Sequence, residues 1–256
     1  MAQTRRSNGL FITLEGPEGS GKSSQGRWLV QRLRRAGYPV AWLQDPGSTA
    51  LGRALRNALL HRATPLTPLA EALLFIGGRV QLVEERIQPA LGRGAIVVCD
   101  RFHDSTVAYQ GFGGGVDVRW LDRVGRAAIR GVMPSLTLLL DVPTPVGFAR
   151  LRRTRDRMER KTMAFHRRVR AGFRRLAASE PRRFVILDAR QPAPIVRDAI
   201  AALVFRRLQS AGANAFACRS ADFSPQQISG REKSELRGVA KSLGTRQIAN
   251  AGTSEV

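Results

Sequence analysis

A chain of 256 residues that is 43% hydrophobic and 24% charged is long enough to bury a sizeable core, as one domain or one domain with an appendage. No apolar run approaches the roughly 20 residues needed to span a bilayer, and the apolar stretch behind the basic N-terminus is too short for a signal-peptide core, so composition points to the cytoplasm and away from a membrane protein. The 42 Lys and Arg against 20 Asp and Glu give a formal charge of +22, yet only four of the cations are lysines and no nucleic-acid-binding motif accompanies them. The excess reads as an Arg-rich composition plus a phosphate-handling site, with salt-sensitive binding of polyanions but no specific nucleic-acid partner.

The first apolar run, LFITLE (10–15), leads through a glycine-rich turn into the helical stretch SSQGRWLVQRLRRAG (23–37). Then come a strand PVAWLQ (39–44), the helical stretches 51–60 and 69–91, a strand AIVVCD (95–100), and a helix over 118–131. A strand LTLLLD (136–141), a helix around 145–178, a strand FVILD (184–188) and a helix over 193–208 complete the series. The strands are apolar without alternation, as in a parallel sheet covered on both faces. Gly37 and Gly131 stand where helices end on glycine. Strands alternating with helices predict a doubly wound α/β fold. Beyond Leu208 the pattern stops; residues 209–256 are small and polar and read as a mostly disordered extension, with a short helix near 232–243. Cys99 and Cys218 lack metal-type spacing and read as reduced thiols, Cys99 in the core.

Gly16 to Ser23 fit G-x-x-x-x-G-K-[ST] between a strand and a helix, the context that a phosphate-binding P-loop requires. Gly16, Gly19 and Gly21 let the backbone turn so that N–H groups meet phosphate oxygens, at a helix N-terminus that favours negative charge. Pro17, Glu18, Ser20 and Ser24 complete the loop. Lys22 supplies a point charge to the β and γ phosphates of ATP, and the Ser23 hydroxyl suits Mg²⁺. The loop alone does not name the acceptor.

The third strand ends in DRFHDSTVAYQG (100–111). Asp100 can organise Mg²⁺ through water, and Arg101 suits bidentate binding of a phosphate; by themselves the two are equally a local ion pair. Ser105, Tyr109 and Gln110 offer hydroxyl and amide groups at the mouth of the site. Phe75 taken alone reads as core and Arg79 as a solvated helix charge, but at i and i+4 they project to one face.

LEGPEGSGKSS, DPGST, LFIGGRVQ, DRFHDSTVAYQG and DRMERKTMAFHRRVRAGF, in that order, resemble the bacterial thymidylate kinases over roughly residues 9–206. The resemblance implies a three-layer P-loop kinase fold with a five-stranded parallel sheet flanked by helices, occupying residues 1–208. It implies phosphorylation of dTMP by ATP with Mg²⁺, and a homodimer. By the same resemblance Glu18 meets the deoxyribose 3′-hydroxyl and the metal environment, Arg56 and Arg101 hold the dTMP phosphate, Phe75 stacks on thymine, and Arg79 bonds its O4. Ser105 and Gln110 lie near the base edge, Tyr109 lies under the sugar where a 2′-hydroxyl would clash, and Asp45 helps position sugar or metal. An Arg-rich lid at about 150–161 supplies a catalytic arginine from Arg153, Arg155 or Arg157, of which Arg157 aligns best.

The sequence departs from the family pattern at Gln44 and Asp45, where Arg-Glu is usual, in a shorter lid, and at His166 and Arg167. His166, on an Arg-rich helix, reads as a surface residue. A kinase for another pyrimidine monophosphate such as dUMP, and a non-enzymatic P-loop protein, stay open at this level.

Overall fold

The computed structural model describes residues 9–61, 65–151 and 156–210. They fall into two compact units, the first ending at Pro192 and the second beginning at Ala193 with the helix Ala193–Ser210. The proposed 209–256 extension lies outside the described residues from position 211 onward.

In the first unit the strands β1 (Phe11–Glu15), β2 (Val40–Gln44), β3 (Ile96–Asp100), β4 (Leu136–Asp141) and β5 (Phe184–Asp188) form one parallel sheet in the order β2-β3-β1-β4-β5. Three of the five begin one residue later than the sequence expectation and the other two match it, because short apolar runs bounded by turns have little freedom of register. β1 and β3 are buried throughout and β4 in all but its last residue, whereas the edge strands β2 and β5 are half-buried, with Ile186 exposed. An edge strand has only one sheet neighbour to cover it. β1 pairs with β3 so that Leu14 lies opposite Asp100, and the chain leaves both strands at the same edge. Strand order reverses at β1, which is where ligands bind in open α/β sheets.

The helices α1 (Lys22–Arg35) and α2 (Ala50–Arg56) follow β1 and β2. Thr49 caps α2 by accepting the Gly52 N–H at 2.9 Å, and Thr67 caps α3 (Pro68–Leu82) by accepting that of Ala70 at 3.2 Å. Asp117 caps α6 (Val118–Ala128) through Trp120 N–H at 2.6 Å. Gly37 and Gly131 follow α1 and α6 at positive φ, as expected.

Three readings need correction. The helix expected over 69–91 widens into a π-helical turn, Val83–Ile87, before α4 (Gln88–Gly92). Pro89 lacks an N–H and its ring crowds the carbonyl four residues back, which favours a wider turn. The stretch 103–113, read only as a site mouth, is helical: α5 (His103–Thr106) runs into a π-helical segment, Val107–Gly113. The helix expected around 145–178 is two, α7 (Thr144–Ala149) and α8 (Met163–Ser179). Thr162 starts α8 by accepting Phe165 N–H at 3.2 Å.

α8 packs closely on the π-helical segment. A Cβ on Gly113 would lie 2.8 Å from Phe165 and Val169 carbons, so glycine is what lets the two backbones approach. Between them lies a cluster of Ala108, Tyr109, Phe165, Val169 and Phe173, with the Tyr109 and Phe173 rings 6.1 Å apart edge to face. The core thus fixes the segment that carries Tyr109 and Gln110. Phe173→Ala, at a fully buried ring, is expected to cost about 3–5 kcal/mol of unfolding free energy. The measurement is a urea titration, and a loss under about 1 kcal/mol would mean that the cluster repacks without it.

Candidate active site

At the C-terminal edge of the sheet, between the ends of β1 and β3, lies a cavity of about 360 Å³. Its lining includes Glu18, Gly19, Gly21, Lys22, Ser23 and Ser24 from the glycine loop and helix start, and Arg56, Phe75, Arg79, Tyr109 and Gln110 from elsewhere in the chain. Asp45, Asp100, Arg101 and Ser105 line it as well.

The Lys22 ammonium is folded onto its own loop, donating to Gly16 O (3.0 Å), Pro17 O (2.8 Å) and Ser20 Oγ (3.2 Å). Burial, with the nearby Arg101 charge, pulls its pKa down to about 8 against the opposing pull of Glu18, Asp100 and Glu15. The Ser23 hydroxyl donates to Asp100 Oδ2. Gly19 has φ 67°, and a Cβ there would fall 1.9 Å from the Gly147 carbonyl oxygen, so this loop position accepts no side chain.

Arg101 leaves β3 with φ 68°, a left-handed conformation that a non-glycine residue adopts at a cost of about 1–3 kcal/mol. Its guanidinium donates to both Glu18 carboxylate oxygens and to Tyr109 Oη, each at 3.1 Å, and to Ser105 Oγ at 3.1 Å and Gly16 O at 3.3 Å. It also lies 5.0 Å from the Tyr109 ring centroid. The Tyr109 hydroxyl donates to Glu18. Burial alone would raise the Glu18 pKa, but Arg101, Lys22 and the Tyr109 hydroxyl together bring it down to about 2.

Arg79, from α3, is 2% exposed. Its Nε donates to Asp45 Oδ2 at 2.5 Å and its Nη2 to Thr106 Oγ1 at 2.8 Å. Arg79 Nη1 and Asp45 Oδ1 are buried with no partner among the described residues. Burial raises the Asp45 pKa despite Arg79. Arg56 donates to Pro46 O at 3.0 Å.

The sequence model of the family described as thymidylate kinase matches residues 14–200. A thymidylate kinase of Synechococcus sp. (strain JA-2-3B'a(2-13)) is 51% identical over 180 residues, 70% of this chain and 86% of the relative. One from Thermomicrobium roseum is 48% identical over 197 residues, covering 76% of this chain and 93% of that protein. The crystal structure of thymidylate kinase from Ehrlichia chaffeensis matches 77% of this chain and 99% of its own, with a TM-score of 0.64 and 33% identity. The chain belongs to the thymidylate kinase family.

Of the site residues expected from sequence, Glu18, Gly19, Gly21 to Ser24, Asp45, Arg56, Phe75, Arg79, Asp100, Arg101, Ser105, Tyr109 and Gln110 line this one cavity, whereas Gly16, Pro17, Ser20 and Arg157 do not. The Arg157 guanidinium is not among the cavity-lining groups: its Nε donates to Leu59 O at 2.7 Å and its Nη1 to the buried Glu71 carboxylate. Asp156, Met158 and Glu159 around it do line the cavity. Arg153 and Arg155 lie outside the described residues. His166 is not on the surface; it is 1% exposed, with its ring 4.6 Å from that of Phe148, because its face of α8 packs on α7. Burial lowers its pKa. Gln44, at the other departure, lines the cavity.

Two carboxylates were missed by sequence reasoning. Glu71 stands one turn before Phe75. Glu15 closes β1, fully buried, accepting Phe102 N–H at 2.7 Å and the Ser105 hydroxyl at 2.6 Å. A carboxylate ending an apolar strand was the available signal. Burial and the neighbouring Asp104 push Glu15 up to about 8 from its ordinary 4.5, against Ser105, Arg101 and Phe102. The folded chain therefore holds a proton that the unfolded chain has lost above about pH 4.5. Stability from this group is present below that pH and declines as pH rises towards 8, by several kcal/mol in all. Glu15→Gln is expected to flatten the fall in urea midpoint between pH 5 and 8, and parallel wild-type and variant curves would refute that assignment.

Proposed function

We propose that this chain transfers the γ-phosphoryl group of ATP to dTMP, giving ADP and dTDP. The observation that carries the reading is one cavity lined both by P-loop groups and by the Phe75–Arg79 face of α3, with Arg101 in it bonded to Gly16 O and Glu18. In this reading the phosphoryl donor and the acceptor share that cavity and meet at Arg101. Such a reaction asks for alignment and charge neutralisation more than for covalent chemistry.

In this reading residues 16–24 hold the ATP phosphates, and Lys22 leaves its loop carbonyls for the β and γ oxygens. Arg101 exchanges part of its contact with Glu18 for the phosphate of dTMP, which Arg56 also holds. Phe75 stacks on the base, and Ser105 and Gln110 lie along its edge. The unpartnered Nη1 of Arg79 is a buried donor that suits the thymine O4. Tyr109 and Glu18, locked together at the sugar, favour a deoxyribose: Glu18 accepts the 3′-hydroxyl, and a 2′-hydroxyl has no partner there. Asp45, held by Arg79, supports the sugar side.

Mg²⁺ suits the Ser23 and Asp100 pair, whose hydroxyl and carboxylate oxygens are already adjacent and line the cavity. Bound there with the nucleotide, it would neutralise charge on the β and γ phosphates. Of the lid at about 150–161, Arg155 is the cation proposed for the transferred group; Arg157 is committed to Glu71 and to the Leu59 carbonyl. The catalytic domain is residues 1–208, and the protein acts in the cytoplasm; no helix among the described residues is long and apolar enough to cross a membrane.

A homodimer is supported by α3, where Leu69 and Leu73 at i and i+4 are 45% and 49% exposed. Leu69→Asp with Leu73→Asp is expected to convert a dimer to a monomer by light scattering; a variant of unchanged mass would place any interface elsewhere.

The functional test is ADP release from ATP and Mg²⁺ with dTMP, dUMP, ribo-TMP, dCMP and dAMP as separate acceptors. Selective turnover of dTMP is expected, reduced on the order of 10³-fold by Lys22→Ala. Equal turnover of all acceptors, or none with any, would defeat the proposal.

A further inference from the structure

Glu71, Phe75 and Arg79 follow one another at intervals of four on α3 and so share a face. Glu71 does not line the cavity and is 2% exposed. Its carboxylate is divided between two partners: one oxygen takes Arg157 Nη1, the other takes Gln110 Nε2 at 3.1 Å. A salt-bridged carboxylate has acceptors only. The Gln110 amide therefore has one orientation available, with its NH₂ group on Glu71 and its carbonyl oxygen left for the cavity that Gln110 lines. An unconstrained amide would offer donor or acceptor with equal ease.

That orientation matters for a pyrimidine. A 4-oxo base, thymine or uracil, presents the O4 acceptor beside the N3–H donor. Cytosine presents the N4 amino donor beside the N3 acceptor. Arg79 can only donate, and its Nη1 is unpartnered among the described residues. A donor at Arg79 with an acceptor at Gln110 matches the 4-oxo edge and opposes the 4-amino edge at both points. A buried polar group facing its own kind loses its hydrogen bond and keeps its desolvation cost.

We propose that Glu71 is a specificity-determining positioning residue, which selects 4-oxo over 4-amino pyrimidine monophosphates by fixing the amide of Gln110. The assignment rests on the dTMP kinase reading. Glu71 acts through Gln110 and does not touch the base. Its other oxygen anchors the turn at 156–160, so two functions meet on one carboxylate and can be separated by experiment.

In Glu71→Gln the Arg157 guanidinium draws the new amide oxygen towards itself and turns the new NH₂ towards Gln110. Gln110 must then present its oxygen to residue 71 and its NH₂ to the base. The experiment compares kcat/KM for dTMP, dUMP and dCMP, with KM for ATP, in wild type and variants; dTMP and dCMP affinities come from isothermal titration. Wild-type preference for dTMP over dCMP tests the functional reading by itself. Glu71→Gln is then expected to narrow the dTMP to dCMP ratio by about tenfold or more. The change should lie in KM for the pyrimidine, with the dTMP to dUMP ratio and KM for ATP unaltered. Arg157→Gln, which leaves the Glu71–Gln110 pair, should lower kcat and keep the ratio. Should Glu71→Gln fail to fold by thermal melting, Gln110→Leu carries the test, with the same narrowing expected. Equal losses on dTMP and dCMP in Glu71→Gln, or an unchanged ratio in Gln110→Leu, would overturn the proposal.

Discussion

A guanidinium drawn largely out of water at the edge of a buried sheet needs acceptors around it. Arg101 meets that condition with Glu18, Tyr109, Ser105 and the Gly16 carbonyl, and these four come from two different strand exits. The parallel pairing of β1 with β3 is what makes them neighbours, since it brings Leu14 beside Asp100 and ends both strands at one edge. The left-handed turn at Arg101 then points the next residues back towards the sheet, where Glu15 takes the Phe102 N–H and the Ser105 hydroxyl. Strain at one residue is offset by two hydrogen bonds to the buried Glu15 carboxyl group, which has no solvent to compete with them. Phosphate oxygens offer Arg101 and Lys22 acceptors of the same kind as those they now use, so ligand binding becomes an exchange of partners and exposes no bare charge.

The acceptor wall is built on a different constraint, the repeat of α3. Residues four apart on a helix share a face, and Glu71, Phe75 and Arg79 use that repeat to set an anchor, a platform and a donor along one line. Each polar member is fixed from a separate element: Arg79 by Asp45 and Thr106, Glu71 by Gln110 and Arg157. The aromatic between them needs no partner. Because the anchors come from the loop after β2, from the stretch after β3 and from the turn at 156–160, the wall is assembled only when the whole first unit has folded.

The strands, the P-loop and the face shared by Phe75 and Arg79 were legible because each depends on a local period or spacing. Apolar runs of five or six residues between turns, a glycine spacing between strand and helix, and an i, i+4 pair all survive without tertiary information. What was not legible depends on contacts distant in sequence. Nothing near residue 71 or residue 15 announces that its carboxylate will meet residue 110 or 105. Arg157 sits in a run of arginines and looks like its neighbours; only the fold singles it out by putting Glu71 within reach. His166 lies on the face of α8 that α7 covers, and its immediate sequence, dense in arginine, concealed that. The single helix expected around 145–178 ends and restarts instead, and the local signal for the restart is Thr162, which caps α8 through the Phe165 N–H.

The Gly19 backbone closes the argument about where transition-state charge can come from. A positive φ and a carbonyl 1.9 Å from a would-be Cβ leave that loop position without room for a side chain. The P-loop therefore contributes one cation, Lys22, and the strand edge one more, Arg101. Phosphoryl transfer spreads negative charge over three equatorial oxygens and both bridging partners, which two fixed cations and a metal cover from below and from the acceptor side only. Any further positive charge has to arrive from the side opposite the loop. Arg157 holds Glu71 and the Leu59 carbonyl, so serving as that cation would cost it two partners, one of them the buried carboxylate that also binds Gln110.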